Sequence, residues 1–211
     1  NFLVDEPVDS ENINVIQVDS SLKALHKLAA FKRNAFKGEV IGITGSNGKT
    51  IVKEWLTVML SGRKKILSSP KSYNSQLGVP LSVWPLNNNY DIGIFEAGIS
   101  RPNEMDALEN MLRPQIGIFT NIGPAHDENF RHTEQKIREK LLLFKQSKSL
   151  IYDADDYLLS TLIEQNFKGE KLGWSRAGKS SIQAIKKEET IQITWKDKKF
   201  IFESTLNDEA S

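Results

Sequence analysis

From Gly38 onward the chain alternates short apolar runs with longer amphipathic stretches. The apolar runs have the length of buried strands, and the stretches between them repeat apolar residues at helical spacing. A repeated strand–helix order is typical of a parallel sheet with helices on both faces. We therefore predict an α/β fold with strands at 40–44, 66–67, 92–95, 116–120 and 150–152 and helices at 49–61, 103–112 and 132–146.

The two ends of the chain follow other patterns. Residues 20–34 place leucines at helical spacing after Ser20, a residue type that often caps a helix, and so predict a lead-in helix. After Gly169, runs of β-forming residues alternate with charged turns, which is typical of an antiparallel meander. We predict a lead-in segment at 1–37 and a core domain at 38–211, whose last part, 168–211, is a small antiparallel β appendage with strands at 181–185, 190–195 and 199–202.

Composition narrows the class of partner. The 28 basic residues nearly balance the 27 acidic ones, so we expect no basic surface for a nucleic acid or an anionic membrane. No apolar run approaches the roughly 18 residues of a membrane span, and the absence of cysteine suits a reducing compartment. We predict a cytoplasmic protein that binds small molecules. Because the chain begins at Asn1 rather than at methionine, we expect a piece of a longer protein.

A phosphate-binding loop is predicted at Gly45-Ser46-Asn47-Gly48-Lys49-Thr50, between the first core strand and the helix at 49–61. Glycines allow backbone N–H groups to turn toward phosphates, and the helix N-terminus adds partial positive charge. Lys49 can reach the β- and γ-phosphates, and Thr50 can bind Mg²⁺. The loop therefore predicts an ATP site, and the parallel sheet flanked by helices is of the P-loop type.

Two alternative roles of this glycine-rich turn fit its residues less well. A turn that binds no ligand has no use for the Lys49-Thr50 pair. A dinucleotide site requires the spacing G-x-G-x-x-G, which Gly42, Gly45 and Gly48 do not form. The usual P-loop spacing is also altered, because Ile43 stands where the first glycine is expected, and this indicates a subclass of P-loop.

Polar side chains follow two of the later strands. Glu96 comes directly after the strand at 92–95, and His126 lies in the loop after the strand at 116–120. Both positions belong to the sheet edge that carries the phosphate loop, so a metal role competes with a solvated carboxylate and a structural histidine. By pattern alone, Lys140 is a charged position on an amphipathic helix, and His26 and His132 are surface residues.

Several motifs in order resemble the central domain of the Mur ligases, ATP-dependent amide-forming enzymes of peptidoglycan synthesis. Thr44–Thr50 is similar to the family loop T-G-[TS]-x-G-K-T. Three further segments resemble the MurF type: Ile51–Glu54, Asn74–Pro80 as N-x-x-x-G-V-P, and Glu96–Gly98 as E-x-G. The resemblance covers roughly residues 38–211 and implies that neighbouring N- and C-terminal domains are absent from this sequence.

The resemblance implies a ligase that joins D-alanyl-D-alanine to a UDP-linked muramoyl tripeptide through an acyl phosphate. It assigns Lys49, His126 and Lys140 to catalysis, with Lys49 on the transferring phosphoryl group. Thr50 and Glu96 match the positions that hold a first Mg²⁺, and His126 matches the histidine that holds a second. Lys140 matches a lysine that is carbamylated in several members, which turns a cation into an oxygen ligand for metal.

The resemblance also implies substrate contacts and shows departures from the family. Asn121 and Asp156 are assigned to the nucleotide and Asn74 to the substrate. Asp153 stands where the N-x-D-D segment has asparagine. Residues 101–104 depart from the H-x-G-E run, so we assign no role to residues 101–104. Two alternatives stay open: another Mur or folylpolyglutamate-type ligase, and a nucleotide-binding module without catalysis.

Overall fold

The computed structural model describes residues 2–8, 14–123, 129–178, 180–187 and 190–203. Near the start, β1 (Phe2–Val4) pairs in parallel with β2 (Val15–Gln17), and α1 (Ser21–Ala35) follows. Ser20 caps this helix by accepting the Lys23 N–H. The predicted lead-in helix is therefore confirmed.

The core of the described chain is one nine-stranded sheet. Its spatial order is β11-β10-β9-β8-β7-β6-β3-β5-β4. Neighbours from β4 to β9 pair in parallel, and β9, β10 and β11 pair antiparallel. The strands are β3 (Glu39–Thr44), β4 (Ile66–Ser68), β5 (Ile92–Glu96), β6 (Ile116–Phe119), β7 (Ser149–Asp153), β8 (Glu170–Ser175), β9 (Ile182–Lys187), β10 (Thr190–Trp195) and β11 (Lys198–Glu203).

The helices are α2 (Lys49–Ser61), α3 (Gly78–Val83), α4 (Met105–Leu112), α5 (Thr133–Leu141) and α6 (Tyr157–Asn166), with a 3-10 helix at Leu142–Phe144. Side chains of each strand alternate between the two sheet faces. Ile41 and Ile43 pack under α2, whereas Val40 joins the larger cluster on the opposite face. Both faces of the central strands are thus buried, as expected for parallel strands.

Most predicted elements form, and the α/β class with an antiparallel C-terminal part is confirmed. Helix α2 has the predicted bounds. The sequence pattern missed the short helix α3, which begins at Gly78. The helix predicted at 132–146 is shorter, because its last turn is the 3-10 helix. The sequence pattern missed α6 and β8, although Asp156 caps α6 by accepting the Leu159 N–H at 3.0 Å.

Arg33 fastens α1 to the end of α4. Its guanidinium is buried and donates to Leu112 O at 2.7 Å, to Arg113 O at 3.0 Å and to Gln115 Oε1 at 3.1 Å. These carbonyls belong to the C-terminal end of α4, where helical partners run out. Burial lowers the pKa of Arg33, with a smaller contribution from the positive charge of Arg113. The interaction fixes α1 across the larger core cluster.

Replacing Arg33 with methionine should destabilise the fold. The change keeps a long apolar stem but leaves the carbonyls of Leu112 and Arg113 without this donor, so we expect a loss of about 2 kcal/mol in the free energy of unfolding. Urea unfolding measures it. The matched control is Arg63→Met, because Arg63 is exposed just beyond α2. Equal stability of the two variants would show that Arg33 does not anchor α1.

Candidate active site

The loop after β3 needs glycine at two positions. Gly45 has a φ of 142° and Gly48 a φ of 77°, which L side chains rarely adopt. A Cβ on Gly45 would lie 2.0 Å from Thr120 Oγ1, much closer than atoms can approach. The loop therefore packs against the segment that follows β6, the strand that pairs with β3.

Hydrogen bonds join the same two segments. The Ser46 N–H donates to Asn121 O at 2.9 Å, and the Asn47 N–H donates to Asn121 Oδ1 at 3.0 Å. Thr120 Oγ1 donates to Asn47 O at 2.6 Å. Ser46 Oγ donates to Gly123 O and accepts from the Gly123 N–H. Asn121, predicted to bind the nucleotide, is placed here as a support of the loop.

The loop leads into the N-terminus of α2, which begins at Lys49 with Gly48 as its cap residue. First-turn N–H groups have no partner within their own helix, and Gly48 has no side chain to accept from them. They carry partial positive charge at the mouth of the loop. An anion such as a phosphate fits this position.

Two lysines converge on the loop from different helices. Lys49 Nζ donates to Gly45 O at 2.9 Å and to Ser46 O at 3.1 Å. Lys140 Nζ, from α5, donates to the same Gly45 O at 3.2 Å. Only 3% of Lys140 is exposed, so the prediction of a solvated helix position is wrong. The two ammonium groups share one acceptor beside the phosphate-binding position.

Burial and mutual repulsion disfavour the charged forms of these lysines. Burial lowers the pKa of Lys140 from 10.5 to about 7, and the charges of Lys49 and Lys136 contribute to that shift. Burial also lowers the pKa of Lys49, while Glu96 opposes the shift. Lys136 is itself buried and donates to Gly123 O. Such a group of cations favours an anionic ligand.

Glu96 is fully buried at the end of β5, so its alternative interpretation as a solvated turn carboxylate is wrong. Its Oε2 accepts from Thr50 Oγ1 at 3.0 Å, and its Oε1 lies 3.1 Å from Lys53 Nζ. Lys53 is also buried and lies 3.2 Å from Glu54 Oε1. The strand order brings Glu96 close to the phosphate loop, because β5 lies beside β3 and Glu96 pairs with Ile43, just before the loop.

The oxygens of Thr50 and Glu96 fit a magnesium ion, which prefers hard oxygen ligands and usually keeps water and phosphate oxygens as well. Within the described ranges, no group of three or more His, Cys, Asp and Glu side chains could hold a metal. Any Mg²⁺ here would therefore depend on ligands that arrive with a nucleotide. His126, the predicted ligand of a second ion, lies outside the described residues.

A cavity of about 360 Å³ opens beside the two lysines. The phosphate loop and Lys49 and Lys140 form one side. The segments 74–77 and 98–104 form the opposite wall of the cavity. Asn74, predicted to contact substrate, is part of it, and its backbone oxygen accepts from the Gly98 N–H at 2.7 Å. The cavity thus joins cationic groups to a polar wall.

A family described as the Mur ligase middle domain matches residues 43–209, most of the chain. The chain belongs to this family. The UDP-N-acetylmuramoyl-tripeptide–D-alanyl-D-alanine ligase of Bacillus subtilis is 34% identical over 156 residues, 72% of this chain and 34% of the relative. That of Treponema pallidum is 40% identical over 133 residues, 62% of this chain and 29% of the relative. This chain therefore spans about a third of the length of the curated relatives it matches.

The Mur ligase middle domain also has solved relatives. The MurF ligase of Thermotoga maritima in complex with ADP has a TM-score of 0.84 and 25% identity to this chain. The match covers 95% of this chain and 48% of that one. In this chain, no helix of the described residues has the length and apolar character needed to cross a bilayer.

Asp156 and Glu104, which the sequence motifs include, make structural hydrogen bonds within the chain. Asp156, predicted to bind nucleotide, is the side-chain cap of α6, so a nucleotide contact stays a prediction. Glu104, to which no role was assigned, accepts the N–H groups of Ser100 and Arg101. Asn103 has a φ of 67° at the position of the family glycine, and asparagine is a residue that tolerates this backbone.

Sequence reasoning missed Lys53 and Lys136. Lys53 lies three positions after Thr50, on the helix that the P-loop opens, and so reaches the same carboxylate. Lys136 precedes Lys140 by four positions, a spacing that places both on one helix face. Helical spacing from an assigned residue is the signal that could have found both.

The pKa of Lys140 predicts a specific pH dependence of stability. The folded pKa is about 7 and the ordinary value is 10.5, so between them the unfolded state binds a proton that the folded state lacks. The free energy of unfolding should therefore rise with pH across this range, and below about pH 7 the cost of burying the cation is fully present. Urea unfolding in CO₂-free buffer measures the free energy of unfolding of the wild type and of Lys140→Met. The wild-type value minus the variant value should increase as pH rises across this range. Lys148→Met, at an exposed site, is the control. A pH-independent difference for Lys140→Met would contradict the assignment.

Proposed function

We propose that this chain is the ATP-binding central domain of a MurF-type amide ligase, which joins D-alanyl-D-alanine to a UDP-linked muramoyl tripeptide. The observation that carries the proposal is the convergence of Lys49 and Lys140 on one P-loop carbonyl beside a cavity. A phosphate and a carboxylate can meet there. The names of the Bacillus and Treponema relatives favour this ligase over another Mur step or a folylpolyglutamate-type ligase.

ATP binds with its phosphates at the N-terminus of α2. The Thermotoga relative is in complex with ADP, which supports the binding of an adenine nucleotide by this chain. Lys49 exchanges its bonds to Gly45 O and Ser46 O for phosphate oxygens, and the first-turn N–H groups of α2 donate to them. Gly45, Ser46, Asn47 and Gly48 shape the loop for this contact.

Thr50 and Glu96 hold Mg²⁺ when the nucleotide is bound. The ion, when present, neutralises charge that develops on the phosphoryl group. The chain's own contribution is to place two oxygens 3.0 Å apart at the loop and to orient Glu96 beside Lys53.

The cavity holds the acceptor peptide with its carboxylate near Lys140. Its chain lies along segments 74–77 and 98–104, which include Asn74 and which we call the acceptor wall. A carboxylate oxygen attacks the γ-phosphorus, and the bond from that phosphorus to the ADP oxygen breaks. The amine of the second substrate then attacks the acyl carbon, and phosphate leaves as the nitrogen loses a proton. Lys49 stabilises the negative charge of the transferring group.

Lys140 carries a carbamate in the assembled enzyme. A lysine with a pKa of about 7 is neutral in a sizeable fraction of molecules near pH 7, and the neutral amine is the form that reacts with CO₂. The resulting carbamate oxygens would hold a second Mg²⁺ together with His126. The plain ammonium does not fit a metal, because it has no lone pair to donate.

Neighbouring domains complete the ligase. We propose that residues 1–37 are the tail of a domain that binds the UDP-linked substrate and that a C-terminal domain presents D-alanyl-D-alanine. The support is the share of the relatives' length that this chain leaves unmatched. We place the reaction in the cytoplasm, with small-molecule substrates and with neither nucleic acid nor membrane as a partner.

The chain should bind Mg-ATP, and Lys49→Ala should weaken that binding by roughly 10-fold or more, because a charge-assisted contact to phosphate is lost. Isothermal titration calorimetry with Mg²⁺ measures both affinities. Lys64→Ala, at an exposed position beyond α2, is the control. A folded wild type that binds no ATP would refute the nucleotide site. The alternative function, a nucleotide-binding module without catalysis, predicts ATP binding but no ligase activity in the full-length protein.

Lys140→Ala should lower ligase activity of the full-length enzyme by roughly 10-fold or more, because a metal ligand is lost. Added acetate should restore part of the activity by supplying carboxylate oxygens. The measurement is ADP release with both peptide substrates present, with and without acetate. Lys148→Ala serves as the control at an exposed lysine. Full activity of Lys140→Ala without acetate would remove the carbamate from the mechanism.

A further inference from the structure

The acceptor wall consists of two loops that approach each other over the cavity. Residues 74–77 precede α3, and residues 98–104 lie between β5 and α4. Neither loop has a regular hydrogen-bond ladder at these residues, so specific contacts must hold them in place. Their separation sets the width of the cavity in front of Lys140.

Glu104 stabilises the second loop internally. Its Oε2 accepts the N–H of Ser100 at 2.7 Å and the N–H of Arg101 at 3.0 Å. The left-handed backbone of Asn103 turns the chain so that this carboxylate can reach back. The loop is therefore a preformed turn that can be positioned as one unit.

Gln76 joins this turn to the first loop. Its side-chain Nε2 donates to the backbone oxygen of Glu104 at 2.9 Å. The backbone oxygen of Gln76 in turn lies 2.6 Å from His26 Nε2, on α1. A carbonyl oxygen cannot donate, so His26 Nε2 carries the hydrogen, as it can in both the neutral and the charged imidazole. The prediction that His26 is a plain surface residue is therefore wrong.

Helix α1 is a rigid support for this contact. His26 and Arg33 lie two helical turns apart, and Arg33 binds the end of α4, the helix that follows the second loop. His26 is not among the residues that line the cavity. Any effect of His26 on a bound ligand must therefore act through Gln76 and Glu104.

We propose that His26 is a positioning residue for the acceptor wall: through Gln76 it sets the spacing between residues 74–77 and the Glu104 turn, and hence the fit of the acceptor peptide. The inference rests on the proposed function for the identity of the ligand. The contact needs a donor at position 26 and no particular charge. Glutamine, which also carries a side-chain N–H donor, should replace histidine, whereas leucine should not.

The first test is hydrogen exchange in the 211-residue chain. His26→Leu should speed exchange of the Gly98 amide, which donates to Asn74 O between the two loops, by roughly 3- to 10-fold, the loss expected for one hydrogen bond. His26→Gln should exchange like the wild type. The control is Lys27→Leu, the exposed neighbour on the same helix. Unchanged exchange in His26→Leu, or equal acceleration in Lys27→Leu, would overturn the proposal.

The second test is steady-state kinetics of the full-length ligase carrying the same changes. His26→Leu should raise the KM for the carboxylate acceptor by roughly 3- to 10-fold, leave the KM for ATP within about 2-fold, and be rescued by His26→Gln. Equal changes in both KM values would refute a role confined to the acceptor wall. A wild type without acceptor-dependent ADP release would count against the proposed function, and the exchange experiment would still decide the role of His26.

Discussion

The close approach of the P-loop to the end of β6 is the constraint on which the site depends. A side chain at Gly45 has no room beside Thr120, and Asn121 accepts from two N–H groups of the loop. Because β3 lies between β5 and β6, the same loop faces Glu96 on one side and the helix that follows β6 on the other. The topology thus brings together a carboxylate and two lysines that are far apart in sequence.

The charged side chains of this site contact several neighbouring polar groups each, rather than one oppositely charged partner each. Glu96 has Lys53 and Thr50 as partners, and Lys49 and Lys140 donate to the P-loop carbonyl of Gly45. A buried charge is costly unless hydrogen bonds compensate it, and a carbonyl compensates a cation only in part. The arrangement therefore gains most from an anion, and this is the physical reason for placing phosphate and carboxylate here.

The sequence predicted the parts of the fold that depend on local pattern. The apolar strands and the P-loop at the start of α2 were evident because glycine, lysine and threonine stand at a strand–helix junction. Burial of Lys140 could not be predicted, because a lysine on an amphipathic helix is usually solvated, and the acceptor that buries it is a carbonyl 95 residues away. The contacts of His26 and Glu104 depend on loops whose course a periodic pattern does not describe.

A crystal structure of the chain with Mg²⁺ and a non-hydrolysable ATP analogue tests most directly whether the loop at Gly45–Thr50 is a Mg-ATP site. We expect phosphates on the first-turn N–H groups of α2 and Lys49 Nζ moved from Gly45 O to phosphate oxygen. We also expect Mg²⁺ between Thr50 and Glu96, in place of their present 3.0 Å hydrogen bond. A nucleotide bound elsewhere, with Lys49 and Glu96 still holding their present partners, would contradict a Mg-ATP site at this loop.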